Sequence, residues 1–449
     1  MVSNKSFFKM IQGVVIPLAL QNLINVAVMG ADVLMLGKVS EKTLSAASLA
    51  NQIQFVMTLI FFGIASGSNV LTAQYYGKGD MDTVKKIFGM ALRLSLKIGL
   101  VITILVWFFP DEAMKIFTSD PEVIALGIKY LRIICISYIF SAISMSYLIS
   151  LRSVGQVAFS TMVYFISLIV NIILNSILIF GLFGAPRLLI QGAAIGTLIA
   201  RFVEVLLCYW YSKSFGKLKL SLKSFKVKNK ILQKDFYKYS IPVIMNELLW
   251  GSGIAMTAAI IGHIGSEAAA ANSVIQLLRQ LAMVLCFGLA SGTAVILGKF
   301  LGQKEMDVAK EYGKKFLQAS FLTGSIGALV MILLLPILLP FLSISPLAKE
   351  YLHYMIKVTV FYALAQSLNA TLVVGIFRAG GLTKLGLYFE IGALWGVSVL
   401  CGWLAAFVFQ LDFKIVYLII LADEWIKLLP VFYFYKKGIW LNHLTRENM

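Results

Sequence analysis

Charge is scarce in this sequence, and the little there is leans to one sign. Asp, Glu, Lys and Arg make up 13% of the 449 residues, while 59% are hydrophobic. That is far more apolar surface than a water-soluble core of this length could bury, so lipid must be the solvent. Short alternating strands are absent, which excludes a transmembrane β-barrel. Histidine is rare: His263, His353 and His443 lie at loop or terminal positions, and no metal-binding helix motif is present. Hydrolytic and redox chemistry therefore find no support, and neither a metal nor a cofactor is expected. A glycine loop with a following lysine for cradling phosphate is also missing, which argues against ATP as the direct energy source. The four cysteines, Cys135, Cys208, Cys286 and Cys401, share no metal-like spacing and read as small hydrophobes inside apolar runs.

Lys and Arg outnumber Asp and Glu by 39 to 21, a formal charge of +18. The excess collects in short segments between apolar runs, and no aromatic-interleaved basic domain exists for nucleic acid to meet. The runs around 11–37, 87–109, 157–184 and 316–342 are long enough to cross a bilayer as helix. Lys5 and Lys9 precede the first run as in a signal peptide, but that run is too long and polar and lacks a cleavage site, so it is expected to stay as a membrane helix.

Apolar periodicity broken by Gly, Pro and charge predicts helices near 11–37, 45–75, 87–109, 123–150, 157–184, 188–211, 237–262, 268–301, 316–340, 350–376, 385–409 and 414–435. With a cytoplasmic N-terminus, the inside segments hold Lys78, Lys85, Lys86, Arg152, the lysines of 212–235, Lys304, Lys310, Lys314, Lys315, Arg378, Lys384, Lys436, Lys437 and Arg446. The other side receives only Lys38, Lys42, Lys115, Arg187, Lys349 and Lys414. This asymmetry predicts that both termini are cytoplasmic.

Self-comparison shows an internal repeat. Ile16-Pro17 and Ile241-Pro242 stand 225 positions apart, and the same offset pairs Gly37 with Gly262, Gly63 with Gly288 and Ala65-Ser66-Gly67 with Ala290-Ser291-Gly292. It continues through Gly77/Gly302, Met81-Asp82/Met306-Asp307 and Pro121/Pro346. Each repeat holds about six helices, and an even number gives both halves one orientation. The expected fold is therefore all-α, with about twelve transmembrane helices in two six-helix lobes related by a pseudo-two-fold along the membrane normal. The lobes would be 1–211 and 236–449, joined by a basic cytoplasmic linker at 212–235. Two bundles about such an axis make a cleft that opens to either side, which is the geometry of a transporter.

A charge at mid-bilayer costs roughly 2.5–3.5 kcal/mol, so ionisable residues within the spans are functional candidates. Asp32 shares one helical face with Gln21 and Asn25, a polar stripe that suits the wall of an internal cavity. The alternative is an acid snorkelling toward Gly37 and Lys38. Asn171 and Asn175 at i, i+4 could coordinate a small cation or bond a neighbouring carboxylate, or simply pack between helices. Thr197 lies on the next helix, where Arg201 and Glu204 could neutralise each other. In the second half, Asn246, Glu247 and Trp250 share one helix, and a carboxylate beside an indole suits a lipophilic organic cation. The competing reading is a Glu bonded to a neighbouring helix. Glu390 enters its helix near the cytoplasmic face, and Glu424 and Lys427 at i, i+3 read as a self-satisfied pair.

These features resemble the MATE family of multidrug and toxic compound extrusion transporters over nearly the whole chain. The likeness rests on Pro17 followed by Gly30-Ala31-Asp32 and Gly37, and on Gly77-Lys78-Gly79-Asp80 with Gly302-Gln303-Lys304-Glu305 after each second helix. Asn171 and Asn175, Gly192 through Thr197, and Glu424 through Trp440 are also similar. The resemblance implies a multi-pass protein of a prokaryotic inner membrane that is no enzyme but an antiporter, exporting drug-like, often cationic, organic compounds against entering protons or sodium ions. It implies a cation site at Asp32, Asn171, Asn175 and Thr197. Many members carry Asp where this chain has Asn175, so the site holds one less negative charge. The substrate cavity is expected to include Gln21, Asn25, Asn246, Glu247 and Trp250. The internal duplication allows a monomer to be functionally complete. The closest rival is a flippase for lipid-linked oligosaccharide or peptidoglycan precursors, which would need a groove of several cationic residues.

Overall fold

The computed structural model describes residues 4–220, 229–341 and 344–447. Twelve helical segments follow one another, and no strand occurs among the described residues. They are α1 (Lys5–Gly37), α2 (Glu41–Lys78), α3 (Met81–Phe108), α4 (Pro121–Ile134 and Ser137–Ser153, bent by 50°), α5 (Val157–Phe180) and α6 (Ile190–Ser214). The second set is α7 (Lys230–Ile264), α8 (Ser266–Ala282 and Val284–Gly302), α9 (Met306–Leu338), α10 (Pro346–Phe377), α11 (Thr383–Val408) and α12 (Phe413–Ile420 and Asp423–Lys436). Nine of these are single helices long and apolar enough to cross a bilayer, the Val284–Gly302 piece of α8 is a tenth, and bent α4 makes an eleventh. All twelve expected segments are present; α7 begins seven residues before the expected 237. Of the expected linker at 212–235, Lys223, Lys226 and Lys228 lie outside the described residues.

The sequence repeat is a repeat of local devices. Asp120 and Ser345 both cap the helix that follows, Asp120 accepting from the Glu122 and Val123 amides and Ser345 from the Ala348 amide, with Pro121 and Pro346 next in line. The turns after α2 and α8 close alike: the Asp80 amide bonds the Tyr75 carbonyl and the Glu305 amide the Phe300 carbonyl. Such a C-terminal turn needs a residue at positive φ. Gly79 (φ +88°) fills the place in the first repeat, but the second puts Lys304 there at φ +64°. Replacing Lys304→Gly is expected to stabilise the protein by ~1 kcal/mol, because glycine carries no Cβ clash in that region. Thermal unfolding in detergent would check it.

The offset shifts by one at α10. Gly155 (φ +79°) after α4 and Gly381 (φ +79°) after α10 stand 226 positions apart, as do the starts of α5 and α11, so α10 carries one extra residue. Its Ala370–Phe377 turns are wound as π-helix, which absorbs an added residue inside a continuous helix.

Contacts divide the chain into two compact units: one gathers the chain up to Asn22, Ala73–Asp80 and the stretch from Lys238, and the other holds Leu23–Thr72 and Met81–Tyr237. Lipid gives helices no hydrophobic reason to associate, so close backbone approach must do it. In the first unit the ends of α2 and α8 cross at glycines. A Cβ on Gly77 would lie 2.1 Å from the Lys299 carbonyl oxygen, and one on Gly302 would lie 1.9 Å from that of Gln74. Gln74 and Lys299 are themselves 225 positions apart, so the contact is symmetric under the repeat. The start of α1 packs on α8 in the same manner, Gly288 against the Ala19 backbone and Gly292 against Val15.

The residues after α12 are strapped to the end of α2. Gln74, fully buried, donates to the Ala379 carbonyl (2.8 Å) and the Asn442 carbonyl (3.1 Å) and accepts from the Leu444 amide (2.7 Å). Trp440 is buried, parallel to Tyr435, and its backbone lies against Gly380. In the second unit the Cys135 carbonyl, at the bend in α4, accepts from the Tyr138 amide (3.1 Å) and from the Thr103 hydroxyl (2.9 Å).

Candidate functional site

Four side chains of the second unit form one hydrogen-bonded chain. Asn175 Nδ2 donates to Asp32 Oδ1 (2.7 Å) and to Asn171 Oδ1 (3.3 Å), and Asn171 Nδ2 donates to Thr197 Oγ1 (3.1 Å). The i, i+4 spacing on α5 stacks the two amides on one face, turned toward Asp32 on α1 and Thr197 on α6. Asn171, Asn175 and Thr197 are buried, and Asp32 is half-buried.

The α5–α6 approach that builds this chain depends on glycine. A Cβ on Gly192 would meet the Leu178 backbone at 2.6 Å, and one on Gly196 would meet Asn175 Oδ1 at 2.1 Å. Gly196 thus fixes where the Asn175 carboxamide sits. Gly196→Ala should destabilise the protein by about 1–3 kcal/mol, the worth of a hydrogen bond to a charged group, since the Asn175 carboxamide must move off Asp32. The double variant with Asn175→Ala should be no worse than either single one, because both act through the same amide. Melting temperatures of the three variants in one detergent would test this, and additive losses would show that Gly196 acts elsewhere.

Beside the chain lies a small recess lined by Asn25, Ser167, Asn171, Thr197, Arg201 and Glu204. It encloses about 20 Å³, room for about one water molecule. Arg201 is held by Glu204 at 2.7 Å, as the sequence spacing suggested. One wall is therefore an internally neutral pair, and the adjoining Asp32 carries the carboxylate that no side-chain cation contacts within ion-pair distance among the described residues.

The remaining expected site residues belong to the first unit. Gln21 is buried on α1. Asn246 and Glu247 are buried on α7 and both accept from one guanidinium, Arg378 Nη2, at 2.8 Å and 2.7 Å. Trp250 stands edge-on to Phe287 with ring centres 6.4 Å apart. Arg378 was expected in a cytoplasmic segment; it is 4% exposed instead, because the last turns of α10 carry it inward onto Glu247. Sequence reading also missed how far Lys427 reaches: it bonds Glu390 (3.1 Å) as well as Glu424 (3.2 Å), so Glu390 is an interior residue and Glu424 and Lys427 are no closed pair. One signal was available for Arg378, since it ends an apolar run without any break before it.

The two repeats have diverged at the site. The positions matching Asp32, Asn171 and Asn175 in the second repeat, at offsets of 225 and 226, are Thr257, Val397 and Cys401. Only the first repeat carries the carboxylate and its amides.

A twelve-helix repeat whose first half sets an acid against two stacked interior amides has the build of a membrane transporter rather than a scaffold. The MatE family model matches residues 17–177 and 242–404, one match per repeat, and the chain belongs to that family. Among its relatives, the uncharacterized transporter YisQ of Bacillus subtilis (strain 168) is 23% identical, over 92% of this chain and 90% of that one. The probable multidrug resistance protein NorM of Thermotoga maritima is also 23% identical, over 93% and 90%. Among solved structures, an outward-facing multidrug resistance MATE family transporter of the MOP superfamily superposes with a TM-score of 0.86 at 18% identity, covering 96% of this chain and 95% of that one.

Proposed function

We propose that this protein exports drug-like organic compounds in exchange for an entering cation, with Asp32 as the group that carries the cation. The observation that supports it is the bond from Asn175 Nδ2 to Asp32 Oδ1 (2.7 Å), which gives the carboxylate one amide donor and no cationic partner within reach. A carboxylate so placed gains a cation cheaply and releases it cheaply, as a carrier must. Of the two ions, the proton is better served. Asn175 turns its NH₂ toward Asp32, whereas a bound sodium ion would need oxygens turned inward. Asn171 and Thr197 relay the orientation of that amide to α6.

Alternating access then requires that cation and substrate favour different conformations, since exchange is driven by differential affinity and not by tight binding. The likeness to proteins named for multidrug resistance supports drug-like substrates. Glu247 is less suited to attract a cationic compound, because Arg378 already balances its charge. The flippase reading gains no support: the two fully buried bases among the described residues, Arg378 and Lys427, are both held by carboxylates. The site residues sit in one chain, so the reading needs no second copy. Lysine and arginine placement supports both termini inside, and the likeness to bacterial relatives supports a prokaryotic cytoplasmic membrane.

Efflux of a fluorescent organic cation from proteoliposomes under separately imposed pH and sodium gradients tests the proposal. A pH gradient alone should drive uphill movement. Movement with sodium alone would reassign the ion, and none with either would end the antiport reading.

A further inference from the structure

The first unit buries its own set of charges. Glu247 on α7, Arg378 at the end of α10, Glu390 on α11 and Asp423, Glu424 and Lys427 on α12 are each at most 8% exposed. These are four acids against two bases. Arg378 is spent on Glu247 and Asn246. Lys427 alone serves the others, its ammonium shared between Glu390 Oε1 (3.1 Å) and Glu424 Oε1 (3.2 Å). Asn369 on α10 donates to Glu424 Oε2 (2.6 Å), which supplies a hydrogen bond but no charge. The next cation, Arg279 on α8, sits over the Tyr362 ring at 5.6 Å.

A buried carboxylate without a countercharge is costly enough that it takes up a proton instead. A second, independent observation points the same way. Glu390 Oε2 and Asn369 Oδ1 are both buried, both belong to groups already bonded into this cluster, and both lack a hydrogen-bond donor. Buried acceptors in folded proteins are almost always satisfied. Four acids against two bases leave the cluster two positive charges short, and a proton on a carboxyl oxygen supplies one of them while turning an acceptor into a donor. The acids are not gathered closely enough for a metal: no group of three ligating residues exists among the described residues.

We propose that Glu390 and Glu424 hold a proton between them beside Lys427, making a protonatable site in the second repeat that is separate from Asp32. Asp423 and Glu247 add to the negative field around it, while Arg378 is held by Glu247 and Arg279 lies over Tyr362. The proposal does not rest on the export reading, since it concerns the resting protein without substrate.

Infrared spectroscopy of the purified full-length protein in lipid tests it through the carbonyl stretch of a protonated carboxylic acid, identified by its shift in heavy water. In Asp32→Asn, which removes the other candidate, a protonated-acid band should be present at neutral pH. Adding Glu390→Gln should weaken it by about half, because one of the two surplus charges is gone. Lys427→Met should do the opposite and strengthen it by about half, a further carboxyl taking a proton when the shared ammonium is lost. Absence of the band from Asp32→Asn at neutral pH would overturn the proposal, even if the Glu390 variant cannot be purified. So would a band that neither Glu390→Gln nor Lys427→Met alters. Failure of gradient-driven efflux would leave this result untouched, and the reverse also holds.

Discussion

Replacing Asp32→Asn is expected to abolish uphill efflux while leaving the protein folded in the membrane. Asparagine keeps the shape of the side chain and an oxygen that can still accept from Asn175 Nδ2, so the chain Asp32–Asn175–Asn171–Thr197 loses its charge and not its geometry. A one-unit pH difference is worth about 1.4 kcal/mol, enough for about a tenfold concentration ratio in one-for-one exchange. In the variant that ratio should fall to one. Downhill exchange of labelled for unlabelled substrate should persist, since it needs no coupling ion. The two measurements together separate a carrier of the cation from a structural residue: undiminished uphill transport would exclude Asp32, and loss of both activities with loss of thermal stability would mark it as structural.

The largest effect on stability is expected at the glycine crossing of α2 and α8. Gly302→Ala places a methyl group 1.9 Å from the Gln74 carbonyl oxygen, and Gly77→Ala places one 2.1 Å from that of Lys299. The obstacle in both cases is backbone, which cannot rotate aside as a side chain would. Over-packing costs about 1–3 kcal/mol where neighbours can yield, and here the two helices must part, so the loss should reach or exceed the top of that range. Parting them would also pull Gln74 from the Asn442 and Leu444 backbone. Gly262→Ala is the control: nothing lies within 4 Å of its Cβ position, and helix propensity predicts a slight gain. Melting temperatures in one detergent would check all three. Equal values for Gly302→Ala and Gly262→Ala would mean that the crossing is looser than its distances imply.

How much of this was legible follows from what each feature depends on. The twelve segments were readable because a bilayer fixes span length and composition, and the repeat because it preserves small residues such as Gly77 and Gly302, whose reason is a contact on the page only in three dimensions. The breaks were not readable. α4 bends at Cys135 and α8 breaks at Met283, and the groups nearby are met by side chains from distant helices, Thr103 on the Cys135 carbonyl and Asn22 on that of Val284 (3.4 Å). Local composition records nothing of such help. Asn171 and Asn175 could be paired with Asp32 because i, i+4 amides have one face, but Gly196 carries no chemistry and its role is purely spatial. Lys427 was misread for the converse reason: a nearby Glu424 satisfied the local rule, and only the packing of α11 on α12 brings in Glu390.

The strap on Gln74 has a consequence for how the chain is made. The amide that this side chain accepts from belongs to a residue 370 positions later. At roughly 5–20 residues per second, a ribosome takes on the order of 20–70 seconds to reach it. For that interval the foot of the second helix must stay wet or be sheltered by the insertion machinery, and the protein reaches its final form only after translation has passed Leu444.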